Sequence, residues 1–194
     1  KTSTYIMAPL MMGLAFCAEP IVRLVLTDKW LACVPFLRIF CITYMFYPIH
    51  TANLNAIKAM GRSDLFLKLE IAKKIVGMAL LLSTMGFGVM AMAYSLLVSS
   101  VTSQIINSWP NRKLLNYRYL DQLKDILPGI ALAIFMGCCV NLVALLHLSN
   151  TVTLLIQIPM GAAIYIGASA ALHLESYEYL IDLIRTAWKR FTKR

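Results

Sequence analysis

Glu19 and Arg23 lie four positions apart inside an otherwise apolar stretch, so they share one helical face. Each alone would cost about 2.5–3.5 kcal/mol to place in lipid on insertion scales, and pairing offsets both. The pair reads either as a structural bridge near one interface or as a gate that meets an anionic substrate. Arg38 stands about two turns into the next apolar stretch. It either snorkels outward beside Trp30 or lines a wet cavity, where its guanidinium fork would match phosphate oxygens. His50, Thr51, Asn53 and Asn55 crowd polar side chains into one short segment. Such groups need hydrogen bonds to neighbouring helices or to vestibule water, and His50 could also take up a proton. Farther on, Ser95, Ser99 and Thr102 share a face, with Gln104 and Asn107 beyond. That stripe fits close helix packing or a polar lumen.

No constellation reads as an active site. The chain has no phosphate-cradling G-x-x-x-x-G-K-[ST] loop and no H-E-x-x-H. Asp28 is the only acidic residue in a predicted outer loop, so paired carboxylates are missing there. The expectation is a protein that is not an enzyme and holds no metal. The cysteines, Cys17, Cys33, Cys41, Cys138 and Cys139, are odd in number and lack C-x-x-C spacing, which reads as inert buried thiols.

The elements that must position these groups follow from composition. Of the residues, 60% are hydrophobic and only 14% charged, against about 45–50% and 25% in soluble domains. Mean hydropathy is +0.72. Water could not solvate such a surface, so the fold class expected is an all-α membrane protein with about six transmembrane helices. The spans fall at about 5–26, 31–57, 65–85, 89–109, 126–146 and 152–174, followed by a basic amphipathic tail at 175–194. Pro9, Gly13 and Pro20 interrupt the first span, which membrane helices tolerate when neighbours satisfy the freed carbonyls. The uncharged run from Ile75 to Trp109 would be about 52 Å long as one helix, too long for a core about 30 Å thick. It is therefore read as a hairpin turning at Gly86-Phe87-Gly88, with Lys73 and Lys74 snorkelling from the helix before it. Ala163, Gly167 and Ala171 form a small-residue ladder read as a packing face.

Charge sets the orientation. Apart from Arg23, Lys29 and Arg38, all of the 18 Lys and Arg residues fall on one side of a six-span layout. By the positive-inside rule both termini are then cytoplasmic. A net charge of +9 does not point to nucleic acid, because the basic residues flank apolar runs and do not line a polar domain. In the tail, Tyr177, Leu180, Ile181, Ile184, Trp188 and Phe191 recur at helical spacing, as in a helix lying in the membrane interface. The chain opens on Lys1 without an initiator Met, which reads as the C-terminal part of something longer.

The stretch from Pro9 to Tyr44 resembles the polysaccharide-export flippases of the multidrug/oligosaccharidyl-lipid/polysaccharide superfamily. The resemblance rests on Pro9, the turn Leu26-Thr27-Asp28-Lys29-Trp30 and the continuation through Pro35 to Arg38. A second match is Gly61-Arg62 within Ala59-Met60-Gly61-Arg62-Ser63-Asp64. Thr27 departs from the pattern, where Gly is usual. The resemblance implies a MATE-like flippase half-bundle in a bacterial inner membrane, with an N-terminal lobe missing. Its implied cargo is a lipid-linked oligosaccharide precursor of lipopolysaccharide, capsule or exopolysaccharide, with Arg38 a candidate to meet the pyrophosphate. Substrate-path candidates are Arg23, Arg38, His50, Asn53, Asn55, Ser99 and Gln104. No cofactor is implied; coupling to H+ or Na+ is open by analogy. Membrane lipid, a polysaccharide polymerase and chain-length machinery are the further partners implied. A multidrug or cation antiporter of the same superfamily, or a non-transporting assembly subunit, are the alternatives.

Overall fold

The structure, a computed structural model, describes residues 1–114, 118–144, 146 and 148–191. His147 in the short neutral turn and the last tail residues, 192–194, lie outside the described residues. Among those described the chain is helical without strands, and it is an all-α membrane protein. Helix α1 (Thr2–Phe16) and α2 (Ala18–Val25) meet at Cys17 with a bend of 67°. A 3-10 turn, Asp28–Cys33, leads into α3 (Val34–Met45) and α4 (Tyr47–Ala59). Helix α5 (Ser63–Thr84) and α6 (Val89–Leu114) are joined by a 3-10 turn, Met85–Phe87, and pack on each other. Helices α7 (Tyr119–Ala144), α8 (Asn150–Ala171) and α9 (Glu175–Phe191) complete the order.

Prolines explain most of the breaks. Pro20 has no N–H to offer the carbonyl of Phe16, and the α1–α2 bend falls there. Pro35 and Pro48 stand in the first turns of α3 and α4, where the missing donor does no harm. Gly88, with φ of 93°, closes the turn before α6 in a conformation that costs glycine little.

Among the described residues, four helical segments are long and apolar enough to cross a membrane, or five if the bent α1–α2 pair is one span. Helix α5 accounts for the difference from six. Its 22 residues would span about 33 Å, but it carries Lys68, Glu70, Lys73 and Lys74. Lys73 does not snorkel: its side chain is buried and paired with Glu70.

The core lies where α1, α7 and α8 meet, around Ala8, Ala133, Met136 and Val140. Elsewhere large apolar side chains such as Ile75, Val98, Phe135 and Leu155 face outward, as lipid-bathed surface must. The α1–α7 contact depends on Gly137, since an added Cβ there would sit 2.2 Å from the Phe16 ring. The small-residue ladder is not on the face expected. Ala163, Gly167 and Ala171 are exposed, and α8 buries Gln157, Gly161, Tyr165 and Ser169 instead. Small residues permit close approach, but polar side chains in lipid require protein partners, so the polar face wins.

Gly137→Ala should destabilise the bundle by about 1–3 kcal/mol, the usual cost of overpacking. Unfolding in detergent reads this directly, and an unchanged midpoint would show that Phe16 swings aside freely.

Candidate functional site

The bend is the first place where backbone needs outside help. Arg38 Nε donates to the carbonyl of Ala15, 3.3 Å away, across from α3 to the C-terminal end of α1. A cation at that position also complements the helix dipole. Its Nη groups have no protein hydrogen-bond partner among the described residues, and the side chain is exposed. Arg38 therefore holds the broken helix with one nitrogen and leaves the fork open. Arg23 donates to Glu19 Oε1 at 3.0 Å and to Asp28 Oδ1 at 2.9 Å, so Asp28 joins the expected pair in an exposed cluster of three. Lys29 and Trp30 belong to the 3-10 turn that follows. Thr27, just before it, has φ of 74° and ψ of 167°, a region that suits glycine and strains a β-branched residue.

The Gly61-Arg62 pair has a plain backbone role. Gly61 takes φ of 69°; its N–H donates to Lys58 O and the N–H of Arg62 to Ile57 O. That is a Schellman cap ending α4. Arg62 then forks onto Asp64 at 3.1 and 3.2 Å, at the start of α5. The guanidinium holds the Asp64 carboxyl below its ordinary range, and the carboxylate raises Arg62.

A polar seam runs between α4, α6 and α7. Asn53 on α4 donates to Gln122 Oε1 on α7 at 2.8 Å and accepts at Oδ1 from Asn111 on α6, also at 2.8 Å. Asn107 Nδ2 lies 2.8 Å from His50 Nδ1. Tyr119 OH donates to Gln104 Oε1 at 3.3 Å. Asn53, Gln104, Asn107, Asn111 and Gln122 are all buried, and Asn107 is wholly so. Asn107 Oδ1, Asn111 Oδ1 and Gln122 Nε2 find no partner among the described residues. The field of Lys73 and Glu70 reaches His50 from α5. Beside the seam, a cavity of about 120 Å³ is bordered by Asn53, Gln122, Asp125 and Lys1.

Of the candidates read from the sequence, the seam gathers His50, Asn53 and Gln104. Arg23 and Arg38 lie near the bend, apart from it. Asn55 is exposed, and Ser99 lies at the closest approach of α5 and α6, where a Cβ on Gly77 would stand 3.2 Å from its Oγ. Asn111, Tyr119 and Gln122 are seam members that sequence reasoning missed. The spacing of Gln104, Asn107 and Asn111 on one face of α6 was a usable signal; the α7 partners had none, since only the fold brings them across. The seam has amides, a phenol and an imidazole but no nucleophile paired with a base, and the described residues contain no group of three or more His, Cys, Asp or Glu placed to hold a metal. It can form hydrogen bonds to water, hydroxyls or an ion.

Asn53→Ala removes a partner from both Asn111 and Gln122, and should cost about 2 kcal/mol because buried amides are left unmet. Asn55→Ala, on exposed surface, should stay within about 0.5 kcal/mol. Denaturant unfolding of the two variants side by side checks the seam; equal effects would contradict it.

Residues 1–35 match a family model described as a polysaccharide biosynthesis protein. The matched stretch holds α1, α2, the 3-10 turn and the first residues of α3. No curated protein and no solved structure matches the chain. The match covers less than a fifth of the chain and supports a relationship with polysaccharide biosynthesis proteins.

Proposed function

We propose that this chain is part of a flippase that carries lipid-linked oligosaccharide across a bacterial inner membrane, with the bent α1–α2 pair and α5 also crossing and both termini cytoplasmic. The observation that carries the reading is the bent α1–α2 pair. It coincides with the segment matched to polysaccharide biosynthesis proteins, and Arg38 stands against its break. Broken helices with unsatisfied backbone are where transporters of several kinds bind their cargo near the midplane. Arg38 places an open guanidinium fork beside that break, and such a fork suits the phosphates that link a sugar chain to its lipid. The other charges near the bend, Arg23 with Glu19 and Asp28, satisfy one another. An antiporter for small cations is disfavoured, because the open ionic group at the bend is a cation itself.

In this mechanism the seam between α4, α6 and α7 supplies hydrogen bonds along a path for hydroxyl-rich cargo. Its unmet amide atoms would be met by water or sugar hydroxyls. The sugar moves with its carrier lipid, and no bond is made or broken.

Arg38→Gln keeps a donor for Ala15 O and removes the charge; Arg38→Ala removes both. In a strain lacking its polysaccharide flippase, both variants should lose at least about tenfold of surface glycan, as expected for a lost charged contact worth about 1.5–3 kcal/mol. Protein level and membrane insertion should match the parent for Arg38→Gln. Full export by Arg38→Gln with loss only in Arg38→Ala would make Arg38 a helix cap and not a cargo contact.

A further inference from the structure

An apolar groove of about 610 Å³ lies between α1, α8 and α9. Leu10 and Gly13 on α1, Ala162 and Ile166 on α8, and Ile181 and Ile184 on α9 border it. It runs along α1 from Tyr5 to Cys17, which is about 18 Å of helix. One leaflet of a hydrocarbon core about 30 Å thick is about 15 Å deep. The α1 wall of the groove therefore matches the reach of an acyl chain in a single leaflet, and the groove continues past the bend to Ile21 on α2.

Helix α9 closes the other end and changes sign along its length. Glu175, Glu178 and Asp182 occupy its first half, and the cations Arg185, Lys189 and Arg190 its second. Ile181 and Ile184 border the groove, and Arg185 follows Ile184 in the chain, one helical turn after Ile181. Arg185 and Lys189 are exposed, and no ion pair involves them among the described residues. At the start of α9 the situation is opposite: Glu175 is bound to Lys1, which also bridges to Asp125 on α7. Glu175 is thus tied to the bundle, while Arg185 and Lys189 stay exposed.

We propose that this groove is a binding site for one anionic glycerophospholipid, with an acyl chain between α1 and α8 and its phosphate at Arg185 and Lys189. The apolar walls supply affinity without headgroup preference. The cations supply the preference for negative charge, about 1 kcal/mol or fivefold per residue near a membrane surface. The lipid would fasten α9 to the membrane interface and to the broken helix at once.

Trp188 lies one turn beyond Ile184 on the same face and serves as the reporter. Trp30→Phe and Trp109→Phe leave it the only tryptophan. The full chain is reconstituted in phosphatidylcholine vesicles doped, at equal mole fraction, with acyl-brominated phosphatidylglycerol or acyl-brominated phosphatidylcholine. The brominated anionic lipid should quench Trp188 at roughly tenfold lower mole fraction, an advantage of the size two cations give. Arg185→Gln with Lys189→Gln should erase that advantage. Ala162→Phe, which fills the groove and leaves the cations, should also reduce it. Equal quenching by the two lipids, or an advantage untouched by Ala162→Phe, would overturn the site. Relief of quenching by a polyprenyl phosphate at lower mole fraction than by unlabelled phosphatidylglycerol would assign the groove to a carrier lipid and overturn it too.

Discussion

Lipid offers a polypeptide no hydrogen bonds, and that constraint orders this fold. At two interruptions of the first span, a side chain from another helix answers. Pro9 cannot donate to the carbonyl of Tyr5, and the hydroxyl of Tyr165 on α8 donates to that carbonyl at 2.9 Å. The two rings stack at a tilt, 5.1 Å between centroids. Arg38 donates to the carbonyl of Ala15 at the bend, next to the Phe16 carbonyl to which Pro20 has no N–H to offer. Gln157 Nε2 gives a further bond to the carbonyl of Val140 on α7, at 3.1 Å. These bonds tie α1 directionally to α3 and α8, and α8 to α7.

The same constraint explains why α8 turns as it does. Hydrophobicity cannot choose a face for a helix that is apolar all round and surrounded by hydrocarbon. Tyr165 and Gln157 can choose, because each would otherwise hold an unmet polar group in lipid. On α4 and α6 the amides play that part and draw α7 in through Gln122. Such a seam is held by hydrogen bonds and not by apolar packing, and its ties can be traded for water or for cargo hydroxyls. That is the physical basis on which the seam is proposed as a path.

Much of the fold was legible in the sequence. The absence of charge over long runs announced helices in lipid, and Gly88 marks a turn that length alone demanded. Pro20 announced a break, and Glu19 with Arg23 announced an ion pair. Harder to read were features that depend on a distant partner. Lys73 looked free to reach an interface until Glu70, three residues before it, proved to hold it in a buried position. Ala163, Gly167 and Ala171 had the spacing of a packing face and no polar group to hold them there. The expected span at about 126–146 left Tyr119 and Gln122 outside it, yet α7 begins at Tyr119. Local pattern describes what a helix can do, and the location of unmet donors elsewhere decides what it does.

The central claim is a lipid-bathed bundle with a wet polar seam inside it. Single cysteines in a background without Cys17, Cys33, Cys41, Cys138 and Cys139 test both halves together. Ala52 borders the small cavity beside Asn53 and Gln122, and Val98 faces outward from α6. In sealed and permeabilised vesicles, a water-soluble thiol reagent should modify Ala52→Cys and leave Val98→Cys untouched. Modification of both would mean that the apolar exterior is not in lipid, and modification of neither would mean a solid bundle with no path.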